Sequence, residues 1–354
     1  MEDKQTINER DFNLSCPIPI SEYDTITIAH GGGGTLMHQL IQKMFLSQFD
    51  NQYLNLQHDG AILEIDSNKI AFSTDTYVVQ PIFFPGGDIG ELAVYGTVND
   101  LAMCGAKPLF ISLGFVLEEG LKVADLWKII LSIKKAAERS GVKIVTGDTK
   151  VVEHGKADKI FINTTGVGKI VAEISPLNCK VGDDIIISGK IAEHGIAIMS
   201  ARSGLNFETS IQSDTAPLNH IIEKLIKNSD KIHVLRDPTR GGVASTLNEI
   251  ASIADVGIEI YEEKIPIDEQ VRGACEILGF DPLYVANEGK FIAFVDPQES
   301  EKVLAIIQSD PLGKDAQIIG KVVANHKKTV IMKTIIGSNR IVDMISGEQL
   351  PRIC

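Results

Sequence analysis

STDTYVVQPIFFPGGDIGELAVYGTVNDLAMCGAKPLFIS, residues 73–112, carries the clearest structural signals in the chain. A strand, IAFST, runs into Asp75. A Pro- and Gly-rich turn follows, then a helix over about 90 to 104, then the apolar strand LFISLGFV. Strand, turn, helix and strand in that order predict an α/β unit. Outward from it, AILEI and a turn at Asp66–Lys69 precede the stretch. An amphipathic helix through Lys122 to Ser140 follows, then the strands VKIVTG and KIFINTTGVG, which complete a first domain by about residue 170.

A second α/β unit opens after Pro176 with GDDIIISG and closes near residue 336 with AQIIGKVV and KKTVIMKT. The expected organisation has four parts. Residues 1–45 form an arm with a glycine-rich loop and a helix. Residues 46–170 and 171–336 form two α/β domains with mixed sheets flanked by helices. Residues 337–354 form a mobile tail. HGGGG ends the arm at Gly31, Gly32, Gly33 and Gly34, and Leu36, Met37, Leu40, Ile41, Met44 and Phe45 follow at helical spacing.

Composition excludes several functions. The 354 residues are 44% hydrophobic, enough to bury two cores without staples. A formal charge of −13 argues against nucleic acid, because displacing counterions from phosphates needs clustered Lys and Arg. The polar amino terminus and the lack of any apolar run near about 18 residues argue against secretion and membrane spanning, and point to the cytoplasm. Five cysteines without a CxxC pair indicate neither a disulfide framework nor a zinc site, and no HExxH is present.

Four aspartates stand at element ends: Asp59 in HDGAILEI, Asp75 in FSTDTYVV, Asp100 in GTVNDLAMCGA at a helix start, and Asp237 in LRDPTRGGVAST. Carboxylates converging from different elements suit Mg²⁺, which takes hard oxygen ligands and joins them to phosphate oxygens. Each aspartate alone reads equally as a cap or turn residue. The glycine run suits backbone approach to an anion, yet it is no P-loop and reads equally as a hinge. Asp148 and Lys150 follow an apolar strand in TGDTKVVEHG, and Glu288 sits in ANEGKF before the strand FIAFV; all three also read as surface charges. Cys354, in PRIC, is either an accidental thiol or an accessible nucleophile.

Taken together, residues 73–112, IVTGDTKVVEHG, HVLRDPTRGGVASTLNEIA and PRIC resemble the HypE-type hydrogenase maturation proteins. These are carbamoyl dehydratases within the aminoimidazole ribonucleotide synthetase-like ATP-binding superfamily. The likeness spans nearly the whole chain. It departs from the family where about 25 residues precede the glycine arm and where His58 stands before Asp59.

The resemblance implies the superfamily's two-domain α/β fold, a homodimer, and Mg²⁺–ATP held by Asp59, Asp75, Asp100 and Asp237, with Asn99 and Asp148 nearby and the glycine arm over the nucleotide. It implies that Cys354 carries the carbamoyl group, loaded by a HypF-type carbamoyltransferase and discharged to a HypC–HypD-type iron scaffold. Lys150 and Glu288 match residues that deprotonate the carbamoyl nitrogen. The alternatives are another phosphorylating enzyme of the superfamily, such as a selenophosphate synthetase or thiamine-phosphate kinase, and a maturation scaffold without catalysis.

Overall fold

The computed structural model describes residues 34–40, 42–43, 56, 58–65, 68–203 and 211–344. Gly31, Gly32, Gly33 and Cys354 lie outside the described residues, as do Ile41, Met44 and Phe45 of the proposed arm helix. Its described part is α1 (Thr35–Leu40).

The first unit runs β1 (Ala61–Ile65), β2 (Asn68–Tyr77), a small ribbon of β3 (Phe83–Phe84) and β4 (Gly87–Asp88), α2 (Ile89–Met103), β5 (Ala106–Glu118), α3 (Val123–Ser140), β6 (Lys143–Val152) and β7 (Ile160–Ile170). Its sheet has the order β1-β2-β7-β5-β6, antiparallel throughout except for the parallel β5–β6 pair. That parallel pair needs a crossover, which α3 supplies. Gly141, at φ 70°, ends α3 in the left-handed conformation that suits glycine at a helix stop.

The second unit runs β8 (Asp184–Ile187), α4 (Glu193–Ser203), α5 (Asn219–Asn228), β9 (Ile232–Arg236), α6 (Gly242–Ala254), β10 (Gly257–Tyr261), α7 (Glu269–Leu278), β11 (Ile292–Val295), α8 (Ser300–Gln308), β12 (Gln317–Val323), β13 (Val330–Lys333) and β14 (Asn339–Val342). These strands form one sheet ordered β14-β13-β10-β12-β8-β11-β9. The sequence reading began the tail at residue 337, yet Asn339–Val342 pairs with β13 as an edge strand. Asn248 Nδ2 donates to the Val342 carbonyl at 2.8 Å and Tyr284 Oη to the Asp343 carbonyl at 2.9 Å, which fixes the chain here. A four-residue strand with one buried position carries too little hydrophobic pattern to be read from sequence.

One helix joins the two units. Asp88 caps α2 by accepting the Gly90 and Glu91 N–H groups at 2.7 and 3.2 Å. From there α2 is apolar on every side and buried along nearly its whole length, as expected of a helix with no solvent face. Leu92, Val94 and Val98 pack with Tyr77, Ile111 and Ile162 of the first sheet, while Ala102 and Met103 pack with Ile186, Leu218 and Phe291 of the second unit. The amide of Asn99 completes the join: Nδ2 donates to the Ala216 carbonyl at 3.1 Å and the Glu288 carbonyl at 3.4 Å, and Oδ1 accepts the Leu218 N–H at 2.8 Å.

Burial predicts a contrast in cost. Leu92→Ala, at a fully buried position, is expected to lower unfolding free energy by about 2–5 kcal/mol, since the wrapped helix cannot collapse into the cavity. Trp127→Ala on the outer face of α3, 61% exposed, is expected to stay within about 0.5 kcal/mol. Urea titrations of both variants measure the difference, and equal midpoints would refute the assignment of α2 as the shared core.

Candidate active site

Four carboxylates from four different elements meet where the two units join. Asp75 lies near the end of β2, Asp100 in α2, Asp237 directly after β9, and Glu288 in the loop before β11. With Thr76, Gly96, Thr239 and Arg240 they line a pocket of about 30 Å³. Asp100, expected at a helix start, sits instead in the last turn of α2. The helix begins eleven residues earlier at Ile89, so the acid is set by the whole length of α2 and not by its cap.

Asp59 stands just outside this pocket. Its Oδ1 pairs with Arg236 Nε at 2.7 Å, and Arg236 Nη2 pairs with Glu249 Oε2 at 2.6 Å. Ser73 ties Asp59 to Asp100: its Oγ donates to Asp100 Oδ2 at 2.7 Å and to the Asp59 carbonyl at 3.2 Å.

The electrostatics follow from carboxylates out of water and close together. Burial, then the charges of Asp237, Asp75 and Asp59, raises the Asp100 carboxyl well above the ordinary range. Burial and Asp59 raise Asp237 too, with Arg236 acting against them. Burial, then Asp237 and Asp214, raises Glu288. Burial disfavours the Arg236 cation, but Asp59 and Glu249 outweigh it and hold the guanidinium charged. The buried positive charge of Arg236 is thus divided between Asp59 and Glu249, and Asp100 and Asp237 are left with an excess of acceptor oxygens and a raised hold on their protons.

That excess suits a hard cation. Among the described residues no three of His, Cys, Asp or Glu form a ready-made metal centre. Mg²⁺ does not require one, because it is commonly held by one or two carboxylates together with substrate phosphates. A space of about 30 Å³ accommodates a cation or a water but not a nucleotide, so a nucleotide at this site must lie over the pocket mouth.

Other candidates are placed apart. Asp148 and Lys150 lie within β6, not after a strand, because the strand continues to Val152. Both are exposed and pair with each other, Lys150 Nζ standing 2.9 and 2.7 Å from the two Asp148 oxygens. Neither lines the acidic pocket. Asn99 does not line it either and serves as the interdomain bridge described above. Gly34 is buried, and its carbonyl accepts the His38 N–H at 3.0 Å.

Arg236, Glu249, Asp214 and Lys290 were not singled out from the sequence. Arg236 directly precedes Asp237, and Lys290 follows Glu288 by two. A buried strand ending in Arg-Asp was the available signal for the first. Asp214 carries none, since its partners come from distant segments.

Two family models match the chain: AIR synthase related protein, N-terminal domain, over residues 57–170, and AIR synthase related protein, C-terminal domain, over residues 180–333. The chain is 48% identical over 332 residues to the carbamoyl dehydratase HypE of Azotobacter vinelandii, covering 93% of this chain and 97% of that protein. Among solved structures, it is similar to a HypE–HypF complex at 52% identity and a TM-score of 0.83, covering 86% of this chain and 99% of that one. It is also similar to a hydrogenase maturation protein HypE in complex with ATP, at 48% identity and a TM-score of 0.79, covering 93% and 100%.

The repulsion has a measurable sign. A carboxyl raised above its unfolded value binds its proton more tightly in the folded state, so its contribution to stability falls as pH rises through the ordinary carboxylate range towards the raised value. Asp100→Asn removes the charge while keeping an acceptor for Ser73. In the absence of divalent cations it is expected to raise the urea midpoint at neutral pH, with the gain shrinking as the pH drops to the ordinary carboxylate range. A lower midpoint at neutral pH would show that the mutual repulsion is not real.

Proposed function

Because the chain belongs to the carbamoyl dehydratase HypE family of AIR synthase related proteins, we propose that it converts an S-carboxamide on the Cys354 thiol to an S-cyano group, with ATP as phosphoryl donor. The product would supply the cyanide ligands of a NiFe hydrogenase site. The observation that carries this reading is the pocket in which Asp75, Asp100, Asp237 and Glu288 meet.

The atoms balance as a dehydration coupled to ATP cleavage. The carbamoyl oxygen bonds to the γ-phosphorus and ADP departs; the C–O bond then breaks, phosphate leaves, and the nitrogen loses two protons to give the nitrile. Asp59, Asp75, Asp100 and Asp237 are the residues we assign to Mg²⁺, which when bound supplies positive charge to the phosphate oxygens. Glu288 is the general base. Its raised affinity for a proton makes it a stronger base than an ordinary carboxylate. The glycine arm, Gly31 to Gly34, is assigned to the nucleotide phosphates by resemblance.

Lys150 is assigned to steady the departing phosphate or Glu288, and Asp148 and Asn99 to the nucleotide surroundings. Because Asp148 and Lys150 sit on an outer strand, this assignment goes with a homodimer. Among the described residues β6 is the outermost strand of its sheet and is exposed along nearly its whole length, with Ile144, Val145 and Val151 exposed on it and Phe72 and Phe110 exposed on the strands inward of it. An unpaired apolar edge of this length suits pairing with a second copy. The nucleotide would then lie over the acidic pocket at that junction.

A HypF-type carbamoyltransferase is assigned to load Cys354, in keeping with the structurally similar HypE–HypF complex. A HypC–HypD-type iron scaffold is assigned to receive the cyano group, in the cytoplasm. Among the described residues no helix is long and apolar enough to cross a membrane. We divide the chain into an arm to residue 45, a first domain to residue 170 and a second domain that extends through the edge strand Asn339–Val342, with the tail after it; family-model matches over 57–170 and 180–333 support the two domains.

Two experiments test the reading. Protein carbamoylated on Cys354 and incubated with Mg²⁺–ATP is expected to lose one water from its C-terminal peptide by mass spectrometry. Glu288→Gln is expected to bind ATP and retain the water, and an unchanged wild-type mass would sink the mechanism. Val145→Asp combined with Val151→Asp on β6 is expected to give monomers by sedimentation and at least about tenfold weaker ATP binding. A monomeric wild type would remove the basis for the Lys150 assignment.

A further inference from the structure

Glu288 occupies a segment, Asn287 to Lys290, that is held residue by residue. The Asn287 side chain accepts the Ala192 N–H at 2.7 Å and donates to the Pro238 carbonyl at 2.9 Å. The Glu288 carbonyl accepts from Asn99, and its N–H donates to Asp214 Oδ1 at 3.0 Å. Asp214 Oδ2 meets Lys290 Nζ at 3.2 Å, and Lys290 also reaches Glu193 Oε2 at 3.1 Å.

Asp214 and Lys290 are both buried deeply, with side chains 1% and 10% exposed. Burial works against both charges, but each outweighs it for the other: Lys290 and His194 hold the Asp214 carboxyl below its ordinary range, and Asp214 and Glu193 hold the Lys290 ammonium above its own. The ion pair is therefore kept. Behind it lies a cavity of about 350 Å³, on which Lys290, Asp214 and Glu193 form part of the wall.

The strap that carries Asp214 is fitted to both units. The Ser213 N–H donates to the Pro85 carbonyl at 2.8 Å, and a Cβ on Gly86 would stand 2.5 Å from the Ser213 nitrogen. On the other side a Cβ on Gly289 would stand 1.8 Å from the Asp214 carbonyl oxygen, so no residue larger than glycine fits between Glu288 and Lys290 without moving the strap.

We propose that Asp214, pinned by Lys290, is a positioning residue that fixes the backbone of Glu288 and so aims its carboxyl at the acidic pocket. This rests on the reading of Glu288 as the base. One oxygen of Asp214 serves the loop and the other serves the pin. An amide cannot replace it, because it has only one acceptor and would turn an NH₂ towards the second donor.

The test is single-turnover dehydration of protein carbamoylated on Cys354, with Mg²⁺–ATP, for Asp214→Asn, Lys290→Met and Lys290→Arg beside Glu288→Gln. Asp214→Asn and Lys290→Met are expected to slow water loss about tenfold to a hundredfold, the scale of a misplaced catalytic group, with ATP affinity within about twofold of wild type. Lys290→Arg, which keeps the cation, is expected to recover most of the rate.

If Lys290→Met does not fold, Asp214→Asn, which buries no new charge, decides the question. A wild-type rate in Asp214→Asn, a parallel loss of rate and ATP affinity, or a Lys290→Arg variant as slow as Lys290→Met overturns the proposal. An inactive Glu288→Gln beside an unaffected Asp214→Asn removes the positioning role alone. A fully active Glu288→Gln removes the base assignment and the positioning role with it.

Discussion

The structure depends on a helix that has no face for water. α2 has no solvent face, so protein must cover it on every side: the first sheet and α3 cover its first turns, and the second unit covers Ala102 and Met103 at its end. The two units are therefore bound to share it. Two of the polar residues it carries, Asn99 and Asp100, arrive at the junction by consequence. Asn99 gives both amide hydrogens and its carbonyl oxygen to the second unit's backbone, while the next residue, Asp100, lines the pocket. The same packing that makes the core makes the site.

That site is electrostatically uncomfortable. Asp75, Asp100, Asp237 and Glu288 share a small pocket, and the one deeply buried guanidinium beside them is divided between Asp59 and Glu249. A fold optimised for stability would neutralise or remove one of these acids. Retaining them is the pattern of a site in which a ligand, not the protein, supplies the missing charge.

Much of the fold was legible because its elements repeat a single period cleanly. The helix expected over 90 to 104 is Ile89–Met103, and the helix expected through Lys122 to Ser140 is Val123–Ser140. The limits lie where the period carries no information. β6 is exposed on both faces, so its GDTK stretch shows no alternation, and Asp148 and Lys150 read as lying past the end of the strand VKIVTG. β14 is too short to show a pattern at all. For the site, the carboxylates were visible as acids at element ends, but their meeting is a property of tertiary structure. Arg236 pairs with Asp59, 177 residues away, and Asp214 and Lys290 with partners 74 to 97 residues away, which no local pattern encodes.

The anchored edge strand β14 has a kinetic consequence. Asn248 and Tyr284 hold the backbone at Val342 and Asp343, and Cys354 follows Met344 by ten residues. Covalent geometry then keeps the thiol within about 35 Å of Met344 however the intervening chain is arranged. A thiol confined to such a sphere meets any site inside it at a frequency set by the tether and not by how much protein is present. Dilution would leave that encounter unchanged, while it would slow every encounter with a separate molecule.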